Sequence, residues 1–176
     1  MPSNIEIKAV LKDRAEVEAI AARLSDTTPE VIHQHDVFFR CDGARLKLRI
    51  LGSTCGELIR YQRANTAEVR RSNYTIARTT DPGVLLDILT ATLGRTGEVR
   101  KTRTLYLIGQ TRVHLDRVEG LGDFLELEVV LRPDQGDAEG QHIAEALLSE
   151  FHIEKEHLLA EAYVDLLALQ AESAAS

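Results

Sequence analysis

The chain has 176 residues, 44% of them hydrophobic, and a formal net charge of −7. This composition fits one domain, which we place at residues 1–170. The acidic net charge argues against nucleic acid as the main partner, because nucleic-acid-binding proteins usually present a basic face. No apolar run approaches the ~20 residues of a membrane span, and residues 1–25 lack the apolar core of a signal peptide, so we expect a cytoplasmic protein with no membrane partner.

Alternation and helical spacing divide the first half of the chain into strands and one helix. In NIEIK, at residues 4–8, Asn4, Glu6 and Lys8 share one face of a strand. Asp13 then resembles the N-cap of a helix of about three turns. Four further strands are predicted from the stretches VIHQHDVFFR, RLKLRIL, ELIRYQR and NYTIART.

The second half contains another helix, three strands and two closing helices. Asp81, followed by proline, marks the start of a helix that Gly94 ends. The turns between EVRKTRTLYLI, TRVHLDRV and DFLELEVVL fit antiparallel hairpins. Helices at about 137–151 and 158–170 complete the order β-α-β-β-β-β-α-β-β-β-α-α, and we expect a disordered tail at 171–176.

Charged residues recur on one face of six predicted strands. On a single strand such a face is typical of a sheet with one side in water. If the sheet closed into a small barrel, these residues would be enclosed and would require a ligand that pairs with both positive and negative charges. Arginine and lysine suit phosphate oxygens, and carboxylates suit Mg²⁺ or Mn²⁺. A triphosphate with a divalent cation uses both groups. The basic residues are Lys8, Lys47, Arg49, Arg63, Lys101, Arg103 and Arg112, and the acidic ones are Glu6, Asp116, Glu126 and Glu128.

Other polar residues on these strands receive a structural interpretation. His33 and His35 lie in HQHD, where two histidines with no third ligand in view are more often structural than metal-bound. Arg60 and Arg100 fall out of register with their charged neighbours and are interpreted as surface residues. His114 shares a face with charged positions of its own strand, so it is a weaker candidate for contact with the ligand.

Together these stretches resemble the CYTH, or triphosphate tunnel metalloenzyme, superfamily, and within it proteins similar to class IV adenylate cyclase. The family opens with an ExExK strand, which NIEIK matches except that Asn4 stands in place of the first Glu. The resemblance extends from Asn4 to about Leu167. Further matches in the family's order are QHDVFF, RLKLR, GELIRYQR, EVRKTRTLY, TRVHLDRVEGLGDFLELEVVL and AYVDLL.

The resemblance implies an α+β fold in which a closed eight-stranded antiparallel β-barrel forms a tunnel flanked by helices. By position, Glu6, Glu126 and Glu128 correspond to metal ligands, and Asp116 corresponds to a further ligand or to a residue behind the ligands. The implied cofactor is Mg²⁺ or Mn²⁺. The implied catalytic contacts to the triphosphate are Lys8, Arg49, Arg63, Lys101 and Arg103, with Lys47 and Arg112 as additional contacts.

The same resemblance implies metal-dependent phosphoryl chemistry on a small-molecule triphosphate. Similarity through VHLDRVEGLGDF favours class IV adenylate cyclase, in which ATP is converted to cyclic AMP and pyrophosphate. One alternative is a triphosphatase that hydrolyses tripolyphosphate, thiamine triphosphate or a nucleoside triphosphate. Another is a non-catalytic module that binds nucleotide or polyphosphate, because Asn4 brings no charge to the metal site. The sequence is compatible with a monomer or a homodimer.

Overall fold

The described part of the chain contains nine strands in one antiparallel sheet. The computed structural model describes residues 4–62 and 73–175. The strands are β1 (Asn4–Val10), β2 (Glu30–Phe39), β3 (Arg45–Gly52), β4 (Cys55–Gln62), β5 (Asn73–Thr79), β6 (Arg95–Ile108), β7 (Thr111–Val118), β8 (Gly122–Val130) and β9 (Leu158–Leu159). Across the sheet their order is β5-β4-β3-β2-β6-β7-β8-β1-β9. The eight longer strands follow the predicted order along the chain, and β9 is additional.

Four α-helices flank the sheet. They are α1 (Arg14–Leu24), α2 (Pro82–Leu93), α3 (Asp137–Glu150) and α4 (Tyr163–Ala174). The Asp13 side chain caps α1 by accepting a hydrogen bond from the amide of Glu16 at 3.0 Å, and Asp81 caps α2 through the amide of Val84 at 3.3 Å. Gly94 follows α2 with a φ of 74°, in the region that glycine adopts without steric cost.

The last helix differs from the prediction at both ends. Helix α4 begins at Tyr163 rather than near residue 158, because Lys155–His157 forms a 3₁₀ helix and β9 then pairs with β1. It continues to Ala174, so most of the segment 171–176, which we expected to be disordered, is helical. Alanine, leucine and glutamate are strong helix formers, and their frequency near this end of the chain explains the extension.

Over the described residues the sheet does not close on itself, so the expectation of a closed eight-stranded barrel is not supported. Among the described residues, β5 forms one edge next to β4 and β9 forms the other edge next to β1. Strand β9 has only two residues, and such a short edge strand offers few backbone groups for pairing with β5. The sheet is nevertheless strongly curved, since side chains from β1 through β8 line one cavity on its concave face.

Hydrophobic side chains on the convex face pack against the helices. Leu115 of β7 and Leu127 of β8 belong to a buried cluster that also contains residues of α1 and α3. Leu48 of β3 packs in a second cluster with residues of α2. Because side chains alternate along a strand, burial of Leu48 beneath α2 turns Lys47 and Arg49 toward the concave face. Within the described ranges, none of the helices combines the length and apolar character needed to cross a bilayer.

Candidate functional site

A cavity of about 370 Å³ lies on the concave face of the sheet. Every predicted basic site residue that the structure describes lines this cavity, and Arg63 lies outside the described residues. Asn4, which stands where the family's first Glu was expected, lines it as well. The charged lining residues are Lys8, Lys47, Arg49, Lys101, Arg103, Arg112, Glu6, Asp36, Glu126 and Glu128.

Asp36 of β2 holds two basic side chains of β3 at one wall of the cavity. Its carboxylate accepts hydrogen bonds from Lys47 Nζ at 2.6 Å and from Arg49 Nε and Nη2 at 2.8 and 2.9 Å. Burial alone would raise the pKa of Asp36, but the charges of Lys47 and Arg49 outweigh it and hold this pKa well below its usual range. Asp36 is therefore ionised at neutral pH and keeps both bases in place.

Asp116 of β7 holds the basic pair of β6 in the same way. It accepts hydrogen bonds from Lys101 Nζ at 2.9 Å and from Arg103 Nε and Nη2 at 2.7 Å each, and the hydroxyl of Tyr163 donates a further one at 3.0 Å. Asp116 is fully buried, and it is not among the described residues that line the cavity. The structure thus places Asp116 behind the basic pair rather than among the residues that line the cavity.

His114, Glu126 and Glu128 form the cluster best suited to a metal ion. One donor atom from each lies within 4.8 Å of the other two, and in the described chain no other group of three such residues meets this condition. The His114 Nδ1 atom is 3.9 Å from the Oε1 atom of each glutamate. Glu126 and Glu128, both predicted to be metal ligands, therefore lie close together. Glu6 lies opposite Glu128 in the strand pairing and lines the cavity, but it is not part of the cluster.

Basic groups surround the buried carboxylate of Glu126. Arg103 Nη2 donates to its Oε1 at 3.1 Å, and Lys8 Nζ lies 3.7 Å from its Oε2. Burial opposes ionisation of Glu126, but the neighbouring Arg103 and Lys8 lower its pKa well below the usual range. Burial, followed by the positive charge of Arg103, lowers the pKa of His114. The site thus pairs an ionised carboxylate with an imidazole that is neutral at pH 7.

Tyr163, the first residue of α4, closes the cavity beside these groups. The ammonium of Lys8 lies 4.2 Å from the centre of its ring, and that of Lys101 lies 5.0 Å from it. Such cation–π contacts stabilise a positive charge over an aromatic face. The ring also packs on Phe124 of β8, with the two ring centres 4.9 Å apart. Tyr163 therefore orients two bases from two different strands.

Sequence reasoning missed Asp36 and Tyr163. Asp36 belongs to HQHD, which we interpreted only through its two histidines. Alternation along the strand nevertheless places Asp36 on the face opposite to His35. The structure places Asp36 in the cavity, while His35 Nε2 contacts Glu98 at 2.9 Å and His33 Nδ1 contacts Thr102 at 3.2 Å. Tyr163 is not part of an alternating strand, since it is the first residue of α4, so no strand pattern indicated that its side chain reaches the site.

Comparisons with known proteins identify the family of the chain and structures with a similar fold. A family model for the CYTH domain matches residues 3–163, whereas a comparison with curated proteins found no match. The PH1012 protein of Pyrococcus horikoshii OT3 has a TM-score of 0.82 at 20% identity, covering 93% of this chain and 98% of that one. A candidate adenylate cyclase from Vibrio parahaemolyticus has a TM-score of 0.72 at 18% identity, covering 94% and 98%.

A plant structure with a different reported activity shares the same fold. HpAC1 from Hippeastrum, an adenylyl cyclase candidate with a dominant triphosphatase activity, has a TM-score of 0.67 at 16% identity. The match covers 96% of each chain. At these identities the likeness establishes a common fold, and the choice of reaction has to be argued from the residues of this chain.

Proposed function

Because the chain belongs to the CYTH domain family, we propose that it binds a triphosphate with a divalent cation, Mg²⁺ or Mn²⁺, in the central cavity and catalyses phosphoryl chemistry on it. The observation that carries this proposal is the convergence of basic side chains from four strands, β1, β3, β6 and β7, on one cavity of about 370 Å³. The described lining has six cationic and four anionic side chains. That positive surplus is complementary to a polyanion whose charge is partly neutralised by a bound cation.

The basic residues are arranged to contact several phosphate oxygens at once. An arginine has five N–H donors, and Asp36 accepts two hydrogen bonds from Arg49. Asp116 likewise accepts two from Arg103. Each guanidinium is therefore fixed in orientation by an aspartate and retains further donors for a ligand. Guanidinium groups held in this way bind phosphate with strong, geometrically specific hydrogen bonds.

The residues present also fit a divalent cation. Glu126 and Glu128 supply carboxylate oxygens, and the buried Nδ1 atom of His114 has no hydrogen-bond partner among the described residues. Glu6 lines the same cavity from β1. The carboxylates of this chain would hold such a cation, which would supply positive charge against the charge that develops during transfer. The basic residues would orient the phosphate chain.

The apolar part of the lining favours an organic triphosphate. Tyr61, Tyr74 and Ile76 line the cavity from β4 and β5, whereas His114, Glu126 and Glu128 line it from β7 and β8. Tyr74 and Ile76 are 46% and 43% exposed, and this surface is available to a nucleobase or another aromatic group. We therefore place ATP first among substrates and cyclase chemistry first among reactions. In that reaction the ribose 3′-hydroxyl attacks the α-phosphorus and pyrophosphate leaves.

Triphosphatase activity is the second candidate, and the neighbour HpAC1, with its dominant triphosphatase activity, favours it. In that reaction water attacks the terminal phosphorus, and the same clamp of basic residues serves it. A binding module without turnover is the third candidate, because Asn4 contributes an amide instead of a carboxylate to the cavity. The three functions differ in which phosphorus a nucleophile attacks: the α-phosphorus in a cyclase, the terminal phosphorus in a triphosphatase, and none in a binding module.

Phosphorus NMR separates the three candidates in one experiment. The protein is incubated with Mg²⁺ or Mn²⁺ and, in separate samples, ATP, GTP, thiamine triphosphate or tripolyphosphate. Cyclic nucleotide with pyrophosphate indicates a cyclase, and orthophosphate indicates a triphosphatase. Tight binding without product indicates a binding module. An Arg49→Ala protein purified in parallel controls for contaminating phosphatases, and absence of both binding and turnover with every compound would contradict the proposal.

A further inference from the structure

His114 is a buried polar residue whose role the arrangement of bases and acids leaves unexplained. It is 5% exposed, and its Nδ1 atom is buried without a hydrogen-bond partner among the described residues. A buried polar atom in this condition costs free energy unless a ligand or water satisfies it. The atom points toward Glu126 and Glu128 at 3.9 Å from each, beyond hydrogen-bond distance.

Each of the two glutamates has one carboxylate oxygen at the same distance from this nitrogen. In both residues Oε1 is the atom nearer to His114. The Oε2 atom of Glu126 faces Lys8 at 3.7 Å, and that of Glu128 faces Arg112 at 3.3 Å. Two ligand atoms bound to one tetrahedral ion at about 2.1 Å lie about 3.4 Å apart, so binding of a shared cation requires each Oε1 atom to approach His114 Nδ1 by about 0.5 Å from its present 3.9 Å.

We propose that His114 Nδ1 is a direct ligand of the divalent cation, which makes the site a mixed nitrogen and oxygen site selective for transition metals such as Mn²⁺, Co²⁺ and Zn²⁺ over Mg²⁺. Imidazole suits transition metals, whereas Mg²⁺ prefers oxygen ligands. The role of this cation in triphosphate chemistry rests on the proposed function, but its binding to His114 does not. The binding of metal through His114 is testable without any substrate.

The first test titrates the unmodified protein, and variants serve only to assign its histidine resonances. Histidine ring nitrogens are labelled with ¹⁵N, and the spectrum is recorded during titration with Zn²⁺. The six histidines are assigned by single substitutions. We expect the Nδ1 resonance of His114 to move to the position of a metal-bound nitrogen in step with saturation. Saturation of the protein with Zn²⁺ without any change at His114 would overturn the proposal.

The second test compares affinities by calorimetry for Mg²⁺, Mn²⁺ and Zn²⁺. His114→Gln removes the nitrogen, and the exposed His142→Gln is the matched control. We expect His114→Gln to weaken Zn²⁺ and Mn²⁺ binding by at least about tenfold, as the loss of metal-site residues commonly does, and Mg²⁺ binding by less than about threefold. An equal loss for all three ions, with circular dichroism unchanged, would contradict selectivity through His114.

Failure of this inference is distinguishable from failure of the proposed function. Turnover of a triphosphate with no shift at His114 would retain the function and overturn the nitrogen ligand. A Zn²⁺-dependent shift at His114 in a protein that neither binds nor converts any triphosphate would support the ligand and overturn the function.

Discussion

Asp36 and Asp116 occupy equivalent positions in two separate strand pairs. Each lies directly opposite an arginine of the neighbouring strand, and each accepts hydrogen bonds from that arginine and from the lysine two residues before it. Asp36 serves Lys47 and Arg49, and Asp116 serves Lys101 and Arg103. The two differ in location, because Asp36 lines the cavity whereas Asp116 lies behind its lining. A ligand in the cavity can therefore replace the first carboxylate but not the second.

Asp36→Asn and Asp116→Asn should each destabilise the protein, but triphosphate should rescue only the first. Removing one partner of a buried ion pair costs about 3 kcal/mol or more, because it leaves uncompensated charge. In Asp36→Asn, phosphate oxygens can take the place of the lost carboxylate beside Lys47 and Arg49. Thermal unfolding with and without tripolyphosphate should thus show a larger ligand-induced rise in Tm for Asp36→Asn than for the wild type. Equal rises in both variants and the wild type would refute this distinction.

Arg49→Ala should weaken triphosphate binding by about 1 to 3 kcal/mol, the usual cost of losing hydrogen bonds to a charged group. Isothermal titration with tripolyphosphate measures the effect. The matched control is Arg100→Ala, which removes the same charge from a half-exposed side chain outside the cavity lining. We expect Arg100→Ala to bind like the wild type. If Arg49→Ala also binds like the wild type, Arg49 lies outside the phosphate site.

Glu126→Gln and Glu128→Gln should abolish metal-dependent turnover, and Glu126→Gln should also lower stability, because Glu126 is buried beside Arg103 and Lys8. The amide keeps the size of the side chain but lacks the charge that holds a hard cation. Product formation is measured over a range of Mn²⁺ concentrations, and circular dichroism checks the fold. Glu119→Gln is the control, since Glu119 is exposed and lies outside the central cavity. Full activity of both cavity variants would rule out this cluster as the metal site.

Triphosphate affinity should fall as the pH rises through about 8, because Lys47 then loses its charge. Burial lowers the pKa of Lys47 to about 8, although Asp36 opposes the shift. The side chain is cationic below this value and neutral above it. A Lys47→Arg variant keeps its charge throughout this range, so its affinity should fall less between pH 7 and pH 9.

Titrations of both proteins with tripolyphosphate at these two pH values make the comparison, and the ratio of their affinities cancels the ionisation of the ligand itself. Lys101, whose pKa is also lowered by burial, is unchanged in both proteins. An identical pH dependence for the wild type and Lys47→Arg would show that Lys47 does not set it.

Alternation along the strands predicted the face on which most of the charged cavity residues lie, although it did not identify Asp36, and Asp116 lies behind the cavity lining. Lys47 and Arg49 flank Leu48, and a period of two residues places them on the face opposite to it wherever β3 lies in the fold. The same local rule placed Glu126 and Glu128 together, and the family assignment made from these stretches is confirmed. These predictions succeeded because they depend only on neighbours along the chain.

Contacts between distant parts of the chain were decided by the tertiary structure. Asp36 meets Arg49 because of the register of β2 and β3, and Tyr163 reaches Asp116 from 47 residues away. Whether the sheet closes depends on how its two edge strands meet, which no local pattern encodes. Alternation therefore determines the face on which a side chain lies, whereas strand pairing and curvature across the whole domain determine its partners, and with them the charge and metal preference of the site.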